Sequence, residues 1–180
     1  MNLISLLQEQ ARDRPDAPAI ITGRAAHREV VSFGDVEARA ARAAALLRER
    51  GIGPGDRVLL LQPMSVDLYV AVAAIFRRGA VAMVPDVSAG RDHLAAACRR
   101  CPPDAWIGPP KAHLLRLWVP EIRQIPEPFV TSRWPLPGAT RWTRAERHAA
   151  DASVATCGDG DPALLTFTSG STGPPKAAVR

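Results

Sequence analysis

Nine consecutive positions gather most of the chemistry available to this chain. Thr168-Ser169-Gly170-Ser171-Thr172-Gly173-Pro174-Pro175-Lys176 places four hydroxyls, two glycines and a lysine directly behind the apolar run Ala163 to Phe167. Glycine lets a backbone approach a ligand closely. Successive N–H groups in such a turn form an anion-binding concavity. Hydroxyls add donors, and Lys176 adds a full positive charge. A triphosphate asks for this combination of many donors, no bulky side chains and one mobile cation. The segment is not a Walker A loop, which needs Gly directly before its lysine and Ser or Thr directly after. Here Pro175 precedes Lys176 and Ala177 follows. The Pro174-Pro175 pair also disfavours running straight on into a helix. A hydrolase role for Ser169 fails as well, because Thr-Ser-Gly-Ser is not Gly-x-Ser-x-Gly.

The elements that must position this loop follow from periodicity. Leu3, Leu6, Leu7 and Gln10 share one side of a first helix capped by Asn2. Residues 19–22 and 29–31 read as a hairpin. Ser32 caps a long helix whose Phe33, Val36, Ala40, Ala43, Ala44 and Leu47 share a face, with Arg39, Arg42 and Arg48 on others. Gly51 ends it. Residues 57–61 form a nearly continuous apolar strand, 65–78 a helix from Ser65 to Gly79, and 80–84 another strand. That is a right-handed βαβ unit. A helix over 90–100, a short strand at 105–107 and a helical turn or two over 111–117 follow. Residues 118–160 are rich in Pro, Arg and Trp. They read as irregular surface structure with one short strand, near Ile122 to Ile125 or Phe129 to Thr131. The last strand, 163–167, leads into the loop. The expectation is an α/β fold with a mostly parallel sheet and flanking helices.

Composition removes other classes. With 180 residues and 47% apolar content, the chain can bury a core. Its net charge of +5 comes almost wholly from scattered arginines, Lys111 and Lys176 being the only lysines. Without a basic run, nucleic-acid binding is not expected. No leader pattern or membrane-length apolar stretch occurs. Three cysteines suggest no disulfide framework, so a reducing cytoplasm is the expected setting. Cys98 and Cys101, with His93 nearby, lack the fourth ligand of a metal site and read as helix-end residues before Pro102. His27, His113 and His148 stand alone in surface segments, and Trp106, Trp118, Trp134 and Trp142 read as packing under loops.

The run Leu164 to Lys176 closely resembles the phosphate-loop signature of the adenylate-forming superfamily, which holds acyl-CoA synthetases, peptide-synthetase adenylation domains and luciferases. That signature reads Thr-Ser-Gly-Ser/Thr-Thr-Gly-x-Pro-Lys, and each position fits. Ala177 departs from the family's usual glycine after the lysine. Upstream, Val31 to Val36, Gly51 to Val58 and Ala71 to Asp86 resemble family segments in the same order, with the likeness weakest over 110–160.

The resemblance implies an ATP- and Mg²⁺-dependent activation of a carboxylic acid to an acyl-adenylate, then transfer to a thiol, commonly coenzyme A. A vague likeness of Ser88-Ala89-Gly90-Arg91 to long-chain members hints at a fatty acid. The resemblance assigns Thr168, Ser169, Gly170, Ser171, Thr172, Gly173 and Lys176 to the β- and γ-phosphates of ATP. The family's adenine, ribose and Mg²⁺ motifs and its late lysine lie beyond residue 180. Residues 1–180 are therefore expected to be a single incomplete N-terminal segment of the large domain, with no catalytic residue of its own. It is expected to be inactive alone and poorly soluble through its severed sheet edge. It would act as the front of an acid-thiol ligase with a complementary C-terminal chain, or else as a non-catalytic remnant or interaction subunit.

Overall fold

The computed structural model describes residues 3–23, 29–168 and 176–179. Helix α1 (Leu3–Asp13) precedes an antiparallel hairpin of β1 (Pro18–Thr22) and β2 (Glu29–Ser32). Then come α2 (Phe33–Glu49), β3 (Arg57–Leu60), α3 (Val66–Arg77), β4 (Val81–Val84), α4 (Arg91–Arg100) and β5 (Ala105–Gly108). Short elements follow: α5 (Pro110–His113), α6 (Pro120–Arg123), β6 (Glu127–Val130), β7 (Thr140–Arg141) and a 3-10 turn at Trp142–Arg147. The chain closes on β8 (Leu164–Thr168) and β9 (Lys176–Val179).

Among the described residues, the main sheet runs β7-β6-β5-β3-β4-β8-β9. Every neighbouring pair in it is parallel except β8 with β9. Because side chains alternate across a strand, β3 serves two cores. Val58 and Leu60 face the side covered by α2 and α3, where Leu46, Leu47 and Ile75 are buried. Leu59 and Leu61 face the other side, with Leu94 and Cys98 of α4 and Ile122 of α6. β4 repeats the pattern through Ala82 and Met83. A strand covered on both faces needs the unbroken apolar run seen in its sequence.

Local capping agrees with the sequence. Ser32 Oγ accepts from Asp35 N at 3.2 Å, and Ser65 Oγ accepts from Leu68 N at 3.3 Å. Three expectations need correction. In α1, Ile4 is the buried residue, while Leu3 and Leu6 are exposed. Residues 118–160 are mostly irregular, as expected, but carry two short strands rather than one. They hold α6, β6, β7 and a 3-10 turn, each of at most six residues and so too short to show a period. The tryptophans divide. Trp106 and Trp142 are buried, whereas Trp118 is 57% and Trp134 81% exposed.

The stretch after the 3-10 turn is strapped across the amino-terminal side of this framework. Arg77, only 1% exposed, pairs with Glu37 at 2.8 Å and donates through Nε to the Asp151 carbonyl at 2.8 Å. Asp151 N donates to Ala41 O, and Ala155 N donates to Arg77 O. Burial alone would raise the Asp151 carboxyl. Donation from the Ser153 hydroxyl and amide, with Arg48 at 2.8 Å, brings it below the usual range instead. The strap passes so close to Gly79 that a Cβ there would lie 2.9 Å from Ala155 Cβ, and Gly79 has φ +65°. Gly79→Ala should therefore lower stability by about 1–3 kcal/mol through backbone strain and overlap. Urea unfolding would read this, and an unchanged midpoint would show that the strap yields freely.

His113 is the fourth correction, being buried rather than at the surface. Its ring lies 4.1 Å from that of Trp106, and Nε2 lies 3.2 Å from the Phe129 carbonyl, to which it donates. Burial holds its pKa below the ordinary 6.5, with Arg116 adding to that push and carbonyls of Phe129 and Gly108 opposing it. The unfolded chain thus takes up this proton first as pH falls. The stability His113 contributes is complete above pH 6.5 and is lost as pH drops towards its folded pKa. Stability should fall as pH drops below 6.5, and His113→Gln should flatten the fall. Equal slopes in urea titrations of both proteins would rule this out.

Candidate phosphate site at the end of β8

β8 delivers the loop to the carboxyl edge of the sheet. It lies parallel to β4, with Val84 opposite Thr166, and Ala82 N donates to Ala163 O at 2.9 Å. Leu165 and Phe167 anchor it in the core shared with α4. β9 then returns antiparallel, so that Thr168 and Lys176 stand opposite each other. The first and last of the sequence-assigned residues thus meet at the mouth of a hairpin. Ser169, Gly170, Ser171, Thr172 and Gly173 lie outside the described residues. The chain leaves the loop as a strand, in keeping with the proline pair that argued against a helix.

The neighbouring strand ends crowd the same edge. The chain leaves β3 towards α3 on one face and leaves β4 towards α4 on the other, which makes a topological switch point between them. Ligands of open α/β sheets settle in such a crevice. Asp86 lies just past β4. On the β4–β8 register, Thr168 is two residues beyond the partner of Val84, level with Asp86. The Asp86 carboxylate accepts from Ser88 Oγ at 2.5 Å and from Ser88 N at 3.0 Å. Those bonds, the hydroxyl's first, hold it below the usual carboxylate range and ionised at neutral pH. Sequence reading did not single out Asp86, since an Asx turn after a strand resembles any other turn.

The remaining candidates fall elsewhere. Cys98 is buried in α4, where desolvation pushes its thiol up to about 12, and Cys101 caps that helix. His148 reaches Glu49 at 3.0 Å, and His27 lies outside the described residues. Among the described residues, no group of three or more His, Cys, Asp or Glu could hold a metal ion. Lys176, the loop hydroxyls and the loop amides suit phosphate oxygens, so a magnesium ion would depend on the phosphates themselves for much of its coordination. No described helix is long and apolar enough to cross a membrane.

A family model described as AMP-binding enzyme matches residues 7–180. An olefin beta-lactone synthetase of Xanthomonas campestris pv. campestris is 34% identical over 99% of this chain and 34% of its own length. The p-hydroxybenzoic acid–AMP ligase FadD22 of Mycobacterium tuberculosis is 34% identical over 99% of this chain and 23% of its own length. A medium/long-chain-fatty-acid–[acyl-carrier-protein] ligase, FadD10, of the same species is 30% identical over 95% and 31%. Among solved structures, the anthranilate CoA ligase AuaEII with anthranoyl-AMP superposes with a TM-score of 0.89 at 20% identity, over 99% of this chain and 34% of that one. Acetoacetyl-CoA synthetase from Streptomyces lividans gives 0.88 at 21%, over 99% and 30%. These two likenesses bear on the fold alone. The chain spans between about a quarter and a third of the length of these curated relatives. With a family model matched over residues 7–180, the chain belongs to the AMP-binding enzymes, a family of AMP-forming acid ligases.

Proposed function

We propose that this chain carries the ATP-phosphate grip of an adenylate-forming acid-thiol ligase. The observation that carries the reading is the loop signature at the carboxyl end of a parallel strand, with Thr168 and Lys176 opposed at its mouth. In the first step, a substrate carboxylate oxygen attacks the α-phosphorus of ATP. The bond from that phosphorus to the bridging oxygen breaks, and pyrophosphate leaves. Magnesium, when bound with the nucleotide, neutralises phosphate charge. Thr168, Ser169, Ser171 and Thr172 supply hydroxyl donors, while Gly170 and Gly173 let backbone amides approach. Lys176 supplies a cation where negative charge develops on the leaving group. In the second step, a thiol such as that of coenzyme A takes the acyl group and AMP leaves.

Relatives named for an olefin beta-lactone, p-hydroxybenzoic acid and medium or long-chain fatty acids are similar to about the same degree. A fatty acid remains one option among these. We place the protein in the cytoplasm, in keeping with its free cysteines. On this reading residues 1–180 bind ATP but need a complementary segment for acid-dependent pyrophosphate exchange.

Calorimetric titration of ATP into the chain tests the grip. Lys176→Ala should weaken binding at least tenfold, the scale of a lost charge-assisted hydrogen bond. Equal affinity of wild type and Lys176→Ala would remove the loop from the nucleotide site. Exchange activity by the 180-residue chain alone would overturn the need for a complementary segment.

A further inference from the structure

A second concave surface opens on the α2/α3 side of the sheet, away from β8. It has a volume of about 540 Å³, within the range of small-ligand sites. Its charges come from Arg39 and Arg42 of α2, Asp67 of α3, Arg133 after β6, and Glu146. Thr131, Ser132 and Thr143 add hydroxyls. A smaller hollow of about 190 Å³ continues past Arg133 and Glu146 to Arg141 and Arg147. Arg144 there is tied to Glu49 at 3.3 Å. The other five arginines face two carboxylates, leaving a net charge of +3. Among the described residues, none of those five guanidinium groups lies within ion-pair distance of a carboxylate.

Unpaired guanidinium groups converging on one hollow repel one another, and a bound anion relieves that repulsion. A concave wall also focuses their field. The planar fork of arginine matches phosphate oxygens two at a time. The one aromatic residue in the lining offers no stacking surface. Trp142 is 5% exposed, and its ring packs edge-on against Phe129 with centroids 5.8 Å apart. We propose that this cleft binds a phosphoryl polyanion, either free pyrophosphate or the polyphosphate of a nucleotide, without reading a base.

The cleft is separate from the β8 loop. Arg133 stands just past β6, four strand positions from β8 in the sheet, roughly 19 Å at about 4.8 Å per strand, while the α2/α3 wall of the cleft lies nearer β8 but out on the face of the sheet. Pyrophosphate cannot span that distance, so the inference stands or falls apart from the loop's role. Asp67 moderates the cleft. Its carboxyl is open to solvent yet flanked by protein, and that desolvation raises its pKa, with Glu29 and Glu146 adding to the rise and Arg39 opposing it.

Calorimetric titration of the 180-residue chain with pyrophosphate and with ADP decides the matter. Arg42→Gln/Arg133→Gln changes two exposed side chains and spares the core. It should weaken one pyrophosphate site at least tenfold, while Lys176→Ala leaves that site within twofold. Asp67→Asn should tighten it about threefold. ADP should match pyrophosphate there within about threefold, both sources being held through the same oxygens. Pyrophosphate binding that is absent, is abolished by Lys176→Ala, or is displaced equally by sulfate would overturn the proposal. ADP binding more than tenfold tighter at this site would show that a base is read, and would overturn it too.

Discussion

Parallel pairing of β3 with both β4 and β5 governs the rest of this molecule. Each parallel neighbour requires a crossover, and the crossovers lie on opposite faces. β3 is therefore covered twice, and every one of Val58, Leu59, Leu60 and Leu61 must be apolar. The strand bodies have no room for polar chemistry. Hydroxyls, carboxylates and cations are pushed to the loops beyond the carboxyl ends, where Gln62, Asp86, Thr131 and the hairpin mouth gather. Gln62 illustrates the boundary, since one residue past Leu61 its amide oxygen already accepts from Thr131 Oγ1 at 2.7 Å.

β8 belongs beside β4 although more than 70 residues separate them in sequence, and closing so long a loop costs entropy. The strap around Arg77 offsets part of that cost by fixing the return path before β8 begins. A guanidinium this buried is costly to desolvate. It is tolerated here because Glu37 and the Asp151 carbonyl accept from the guanidinium, while the Ala155 amide donates to the Arg77 main-chain carbonyl and holds the strap in place. Removing one partner of such a pair typically costs about 3–5 kcal/mol, because the charge left behind stays buried. The strap thus links α2 and α3 to the strand that carries the phosphate loop, and the core and the candidate site share one support.

Long elements were legible in the sequence because their patterns repeat. The α2 and α3 helices show their caps and apolar faces, and β3 and β4 show continuous apolar runs. β6 was legible only as one of two alternative places for a strand and β7 not at all, because two to four residues cannot display a period and proline-rich flanks resemble loops. His113 looked solitary because its partners, Trp106 and the Phe129 carbonyl, come from strands rather than from its own helix. The candidate phosphate loop stands out as a motif since its nine residues are contiguous. The arginine cleft does not, because Arg39 and Arg42 meet Arg133 only after the sheet forms. In sequence, these arginines are merely part of a scattered positive charge.

Both anion-directed features draw on the same edge for a common reason. In a parallel α/β layer each helix following a strand starts at the carboxyl edge, so α3 and α4 present their positive ends there. Asp67 and Asp92 in their first turns partly answer that field. The edge is electropositive before any cation is added, and on the proposed roles Lys176 of β9 and the arginines beyond β6 would sharpen it at two points. Anions bound at both would repel one another. At roughly 19 Å and a Debye length near 8 Å that repulsion is largely screened where the path runs through solvent. On the proposed roles, occupation of one site would leave the other's affinity almost unchanged, and a single sheet edge could hold two anions.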